Sequence, residues 1–318
     1  MISTDDVIMA YRLILGREPE NADAVATWAA GAPDLMSLRS QFLNSEEFLN
    51  SRVVRLPVSL DWGAESRIDV NVPAGLLQQM LDRVAKTWQG LGSTQPFWSV
   101  LSSDEYKMER FGEHADTYWE SGKGDVDRLN AWLKRNGIPA FGANHSCCEY
   151  GCGTGRVTRW LADQFSRVVA LDISLPHIEL AQSHIKRAGK SNVSFRHIDS
   201  LAFLNQKVQP VDVFFSFIVL QHNPPPIIAV ILKTVLQWLK PGGVAFFQVP
   251  TYSPNYSFIA EDYLQHPSQT GMEMHILPQR YVQAIAGHQN CEMIEVQPDP
   301  YVGSPDWISN TFLLRKKI

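Results

Sequence analysis

The sequence predicts an α/β fold: a doubly wound sheet of seven strands preceded by a small all-α N-terminal domain. Three features carry this expectation. From about residue 145, short apolar runs alternate with amphipathic segments, the pattern of strand–helix–strand units. A glycine-rich turn, Gly151-Cys152-Gly153-Thr154-Gly155, joins the first of these runs to the first of these helices. Before about residue 52, apolar positions recur at helical spacing.

The elements follow in order. Asp5-Asp6 suits a helix N-terminus, Val7, Tyr11 and Ile14 share one face, and Gly16-Arg17-Glu18-Pro19 ends that helix. A second helix is expected over 22–30, a third from near Asp34 and a fourth near Ser45 to Leu49. Residues 53–96 form a connector and an amphipathic helix. Its face is Leu77, Met80, Leu81, Val84 and Trp88, and Gly90-Leu91-Gly92 is expected to stop it. The third domain spans 97–318. Its expected strands cover 146–150, 167–172, 193–198, 212–219, 244–249, 292–297 and 309–315, the last two as a hairpin-like pair. A helix runs from Pro225 to Leu239 and is cut by Pro241-Gly242-Gly243.

Composition narrows the function classes. The chain has 318 residues, 45% hydrophobic and 19% charged, with nine Trp and fifteen Phe, which suits a globular protein with aromatic-lined pockets. A net charge of −5 argues against a phosphate-tracking surface, so nucleic acid is not the expected partner. No apolar run reaches the roughly 20 residues of a membrane helix, and no leader pattern opens the chain. Cys147, Cys148, Cys152 and Cys291 lack zinc-knuckle spacing. Adjacent cysteines on a strand point to opposite faces, which does not suit a disulfide. They read as small buried thiols, in keeping with a cytoplasmic protein. The extra helices and tryptophans allow a homodimer.

Glycines at 151, 153 and 155 let the backbone come close to a ligand, because no Cβ intervenes. Arg156 stands where a dinucleotide fingerprint needs its last glycine, which steers the reading from NAD toward S-adenosylmethionine. In a doubly wound sheet the ligand lies beyond the carboxyl ends of the strands. Asp172 ends the second strand, where a carboxylate can accept both ribose hydroxyls; alone it does not separate the two cofactors. Ile173 is expected beside the adenine, and Asp199 with Ser200 near its exocyclic amine. Phe217 is expected to pass under the cofactor.

These motifs resemble class I S-adenosylmethionine-dependent methyltransferases. Glu149-Tyr150-Gly151-Cys152-Gly153-Thr154-Gly155 matches that family's ExGxGxG motif. Val169-Ala170-Leu171-Asp172-Ile173-Ser174 matches its acidic second motif, and Leu239-Lys240-Pro241-Gly242-Gly243 the turn before strand five. The resemblance covers about 140–318 and implies a Rossmann-like methyltransferase sheet and S-adenosyl-L-methionine as cofactor. It implies cofactor contacts from Glu149, Gly151, Cys152, Gly153 and Gly155. Phe97 to Leu101 and Tyr118 to Gly122 resemble segments of bacterial methyltransferases of glycan or small-metabolite modification, where their aromatics would cap the cofactor or shape the acceptor pocket, Tyr118 and Trp119 as acceptor contacts. Residues 11–19 and 42–48 resemble a short bacterial module of unknown function, found beside enzymes of surface-polysaccharide assembly. The likenesses imply a small-molecule or glycan acceptor and a cytoplasmic enzyme of polysaccharide biosynthesis. Methylation of a secondary metabolite at nitrogen or oxygen, or a non-catalytic role in polysaccharide assembly, are the alternatives.

A hydroxyl acceptor must lose its proton during transfer, work suited to histidine near neutral pH. His222 follows the fourth strand, and His275 lies in an insertion beyond the fifth. Tyr252 and Tyr256 of that insertion are expected to contact the acceptor. The hard-oxygen cluster that Mg²⁺ prefers is not visible, so no metal is expected.

Overall fold

The computed structural model describes residues 2–45, 47–48, 67–204, 209–254, 256–266, 271–302 and 306–318. The chain divides into two compact units, Met1–Leu60 and Asp61–Ile318.

In the first unit, Ser3 and Asp6 cap helix α1 (Thr4–Ala10) reciprocally: the Ser3 hydroxyl accepts from Asp6 N–H and the Asp6 carboxylate from Ser3 N–H. The chain continues as a π-helical turn over Tyr11–Leu15 and stops at Gly16, whose φ is +70°. Asn21 caps α2 (Ala22–Gly31) and Asp34 caps α3 (Leu35–Leu43). Val7, Tyr11, Val25, Leu38 and Phe42 form the core. Arg17 pairs with Glu20 and Glu47. The residues that carry the N-terminal likeness thus include Tyr11, Arg17, Phe42 and Glu47, which hold this unit together. The expected fourth helix falls partly outside the described residues, as does most of the connector.

The second unit is built on one sheet of order β3-β2-β1-β4-β5-β7-β6. Its strands are β1 (Ser146–Tyr150), β2 (Arg167–Asp172), β3 (Val193–His197), β4 (Val211–Ser216), β5 (Leu239–Tyr252), β6 (Cys291–Asp299) and β7 (Ile308–Lys316). The first five are parallel, and β7 runs antiparallel between β5 and β6. The helices are α4 (Ala74–Thr94), α5 (Phe111–Arg135), α6 (Thr158–Gln164), α7 (Leu175–Arg187), α8 (Leu201–Leu204), α9 (Pro225–Gln237), α10 (Ala260–Gln265) and α11 (Gln279–His288). Among the described residues, no helix is long and apolar enough to cross a membrane.

Successive strand residues feed two cores, which is why both faces of the central strands are apolar. Cys148, Val169, Phe214 and Phe247 face one core with residues of α4, α9 and α11. Cys147, Val168, Phe215 and Phe246 face the other with residues of α5 and α6. The adjacent cysteines point to opposite faces, and all four thiols are free and buried.

Several boundaries differ from the sequence expectation. The run expected as strand to Val219 leaves the sheet after Ser216, and Ile218 takes a φ of +58°. Strand β5 begins at Leu239, which pairs with Val211 of β4, and reaches Tyr252 because β7 pairs with it as far as Ile308. Helix α9 accordingly ends at Gln237. Helix α4 does not stop at Gly90-Leu91-Gly92 but continues to Thr94. Gly92 is instead a contact glycine: a Cβ there would lie 2.5 Å from Ser174 Oγ and 2.7 Å from His177 Nδ1. Helix α5 was not anticipated, although Tyr118, Gly122, Val126, Leu129 and Leu133 repeat at helical spacing and are all buried.

Two of the three glycines of α5 give an opposed pair of expectations. A Cβ at Gly122 would meet the Arg156 carbonyl oxygen at 2.2 Å, while nothing lies within 4 Å of one at Gly124. Gly122→Ala should cost about 2 kcal/mol or more by overpacking. Gly124→Ala should be neutral or stabilising by up to about 1 kcal/mol. Urea denaturation of the full chain reads both.

Candidate functional site

The strand order reverses between β1 and β4, which opens a crevice at their carboxyl ends. The glycine turn occupies it. Gly151, Gly153 and Gly155 have φ of +78°, +52° and +87°, a region that side chains with a Cβ rarely enter. The turn is pinned from beneath. Gly151 and Cys152 N–H groups both donate to Leu171 O, at 2.8 and 3.0 Å. Asp172 Oδ2 accepts from Gly153 N–H at 2.7 Å and Oδ1 from Ser174 N–H at 2.8 Å, so one carboxylate ties the turn after β1 to the turn after β2.

Helix α5 locks the turn from its other side. Tyr118 OH lies 2.6 Å from Thr154 Oγ1, and Arg156 Nη2 donates to Asp125 Oδ2 at 2.6 Å. Arg156 is 6% exposed, so this is a buried ion pair. The residue that replaces a fingerprint glycine is therefore used to hold the turn against α5.

The crevice forms a cavity of about 840 Å³ including its mouth. Of the expected cofactor residues, Glu149, Gly151, Cys152, Gly153, Asp172, Ile173 and Phe217 line it. Gly155 does not; it packs on Ala181, which a Cβ would approach to 3.1 Å. Asp199 and Ser200 are not brought to the wall: Asp199 is exposed and accepts from the Ser200 hydroxyl. Ser99 and Val100, from the Phe97–Leu101 segment, also stand on this wall, as do Val84 and Trp88 of α4 and His177, which were not anticipated there. His177 Nδ1 lies 2.7 Å from Ser174 Oγ, and Nε2 lies 3.0 Å from Ser99 Oγ. Burial holds its imidazole below the usual value. A Ser-x-x-His spacing at the start of α7 was the available signal.

Glu149 is 3% exposed, and its Oε2 accepts from Thr158 Oγ1 at 2.6 Å. Burial pushes its carboxyl up to about 7, against the Thr158 hydrogen bond and Arg156.

The two catalytic candidates differ in their surroundings. His222 lines the cavity, but both ring nitrogens are engaged. Nδ1–H donates to Glu273 O at 3.0 Å, and Nε2 lies 3.3 Å from the Gln221 amide nitrogen. Burial lowers it to about 4. His275 is buried beside Tyr256, whose hydroxyl lies 2.9 Å from Nδ1. Its Nε2 has no hydrogen-bond partner and stands 3.7 Å from Glu273 Oε2. Burial raises the Glu273 carboxyl, but the nearby His275 imidazole and the hydrogen bonds from Tyr263 and Arg83 outweigh it and bring the group to about 2. Arg83 and Glu273 were not anticipated. Arg83 of α4 lies 2.5 Å from Glu273 and donates to the carbonyls of Tyr263 and His266.

Tyr252 and Tyr256 line a second cavity of about 1050 Å³ at the carboxyl end of β5. Tyr118 and Trp119, expected at the acceptor, reach neither cavity wall. Their helix turns Tyr118 inward to Thr154, and Trp119 stacks on His184 with ring centroids 3.6 Å apart. Among the described residues, no three His, Cys, Asp or Glu side chains converge as a metal-holding group.

This fold and glycine turn define the class: the chain carries a class I S-adenosylmethionine-dependent methyltransferase domain, and S-adenosylmethionine is the cofactor of that class. Residues 148–243 match the family described as Methyltransferase domain. The ubiquinone biosynthesis O-methyltransferase of Methylococcus capsulatus is 30% identical over 145 residues, which cover 44% of this chain and 60% of that enzyme. The enzyme of the same name from Leptothrix cholodnii is 24% identical over 51% of this chain and 69% of its own. The chain thus spans only about 60–70% of these curated relatives. Among solved structures, magnesium protoporphyrin IX methyltransferase from Synechocystis PCC 6803 with bound S-adenosylhomocysteine superposes with a TM-score of 0.53. That match has 14% identity and covers 75% of this chain and all of the other.

The cavity fits this cofactor. Asp172 spends one lone pair per oxygen on backbone N–H groups, which leaves each oxygen able to accept a ribose hydroxyl. Val84, Trp88, Val100 and Ile173 supply apolar wall. Glu149 is the carboxylate available to an ammonium group. Because Glu149 sits near 7 in the free protein, its ionised fraction rises between pH 6 and 7.5. Cofactor affinity measured by calorimetry should therefore increase over that window, with proton release. Glu149→Gln should flatten the dependence; an equally steep profile in the variant would remove Glu149 from this role.

Proposed function

We propose that the protein transfers a methyl group from S-adenosylmethionine to a hydroxyl oxygen of a small acceptor, without a metal. The observation that supports this best is the glycine turn tied to Asp172, with the buried Glu149 beside it. The relatives, O-methyltransferases by name, support oxygen as the acceptor atom and lend no support to a glycan.

When bound, the cofactor supplies a methyl group on a sulfonium. The protein's part is alignment and proton removal. The acceptor oxygen would take that methyl group as the carbon–sulfur bond breaks, so that the sulfur would be left neutral. The hydroxyl proton then needs a base. His275, whose Nδ1 is bonded to a tyrosine on the wall of the second cavity, suits this better than His222, which burial lowers to about 4. With the ring proton on Nε2, toward Glu273, His275 Nδ1 accepts from the Tyr256 hydroxyl 2.9 Å away. Tyr256 can take the acceptor's proton as it passes its own to Nδ1. The imidazolium so formed faces the ionised Glu273.

Mass spectrometry of acceptor panels incubated with cofactor tests the reading; failure to bind S-adenosylmethionine at millimolar concentration would sink it. With an acceptor in hand, Tyr256→Phe and His275→Ala should each lower kcat on the order of 100-fold and leave cofactor affinity unchanged. His222→Ala should act mainly on stability. Treatment with a chelator should leave turnover intact; a loss restored by Mg²⁺ would overturn the metal-free step.

A further inference from the structure

We infer that the second cavity is the acceptor subsite and that Arg280 selects an acceptor carrying an oxyanion, a carboxylate or a phosphate monoester, next to an apolar body. This inference rests on the methyl-transfer reading above and adds the chemical class of the acceptor.

The wall of the cavity is donor-rich. It is made by Ile68, Thr251, Tyr252, Ser253, Tyr256, Ile276, Pro278 and Arg280, with no Asp or Glu among them. That is notable in a chain with 33 acidic and 28 basic residues. Arg280, the second residue of α11, is exposed at the cavity mouth, lies over the Tyr281 ring with its guanidinium carbon 5.0 Å from the centroid, and takes part in none of the ion pairs found among the described residues. The stacking leaves the donor edge of the guanidinium free, as it does where arginine meets an anion while resting on an aromatic ring. A guanidinium presents a planar fork of donors that matches a carboxylate or phosphate bidentately. The hydroxyls of Tyr252 and Ser253 add neutral donors, while Ile68, Ile276 and Pro278 give the cavity an apolar side.

The opposite requirement, a place for the reacting hydroxyl, is met by Tyr256. Its hydroxyl is bonded to His275, whose backbone N–H donates to Gln221 O at 2.7 Å. Gln221 precedes His222 on the wall of the cofactor cavity. His275 thus bonds to one wall residue of the second cavity and to the chain neighbour of a wall residue of the cofactor cavity. An acceptor with its oxyanion on Arg280 and its hydroxyl toward Tyr256 would meet both the cation and the base.

Calorimetric titration of the full chain tests this, with S-adenosylhomocysteine present and absent. The probes are 4-hydroxybenzoate, 4-hydroxyphenyl phosphate and the uncharged 4-hydroxybenzyl alcohol. At least one anion should bind about tenfold or more tightly than the alcohol, and which one does so identifies the oxyanion. Arg280→Gln should abolish that preference and Arg280→Lys should restore part of it. Both variants should bind S-adenosylhomocysteine as the natural chain does, which shows that they fold. Equal binding of anion and alcohol by the natural chain, or an unchanged preference in Arg280→Gln, overturns the assignment. Loss of S-adenosylhomocysteine binding in the natural chain would refute the methyl-transfer reading, while the anion preference is still read in its absence.

Discussion

The carboxylate of Asp172 is the contact on which the site depends. Each of its oxygens holds a backbone N–H, one from Gly153 and one from Ser174, and so fixes two turns that belong to different strands. Charge-assisted hydrogen bonds of this kind are short and strong when buried. The left-handed backbone at Gly151, Gly153 and Gly155 gives the N–H groups their direction, and the Leu171 carbonyl gathers two more of them. Without that tie the cavity floor would lose its shape before any ligand arrived.

The surrounding structure serves the same turn. Helix α5 approaches so closely at Gly122 that a methyl group there would collide with the Arg156 carbonyl. Its Asp125 meets Arg156 in a buried ion pair, and its Tyr118 meets Thr154. Breaking one partner of such a pair commonly costs about 3–5 kcal/mol, since the other charge stays buried. Helix α4 closes in at Gly92 and brings Val84 and Trp88 to the cavity wall. The same helix carries Arg83, which holds Glu273 in place and ionised. A segment far from the sheet in sequence therefore fixes the electrostatics around His275.

Much of the fold was legible because its signals are local. Strands β1 and β2 have the bounds that their apolar runs suggest, since strands buried on both faces read as continuous apolar segments. The glycine spacing, Asp172 and Glu149 were legible for a related reason: a tight turn and a strand end impose residue types at fixed offsets. Glycines were misread where their reason lay elsewhere. Gly90 and Gly92 look like a stop, yet Gly92 serves a partner helix that no local window contains. Strand β5 was read too short because its length is set by β4 and β7.

By itself, the sequence determined the seven-strand α/β fold, the class of cofactor and several of the residues that line the cavity. These depend on backbone conformation and on burial pattern, both encoded over a few residues. Only the tertiary structure decided which histidine has an open nitrogen, which tyrosine reaches it and which arginine is left to face a cavity. Tyr118 and Trp119 lost their expected place because helix rotation, not identity, sets what a side chain touches. Arg83 and Glu273 stand 190 positions apart, and their meeting depends on the packing of α4 onto the sheet's carboxyl edge. Proton affinity and charge pairing arise from such long-range neighbours, so no stretch of the chain read alone could supply them.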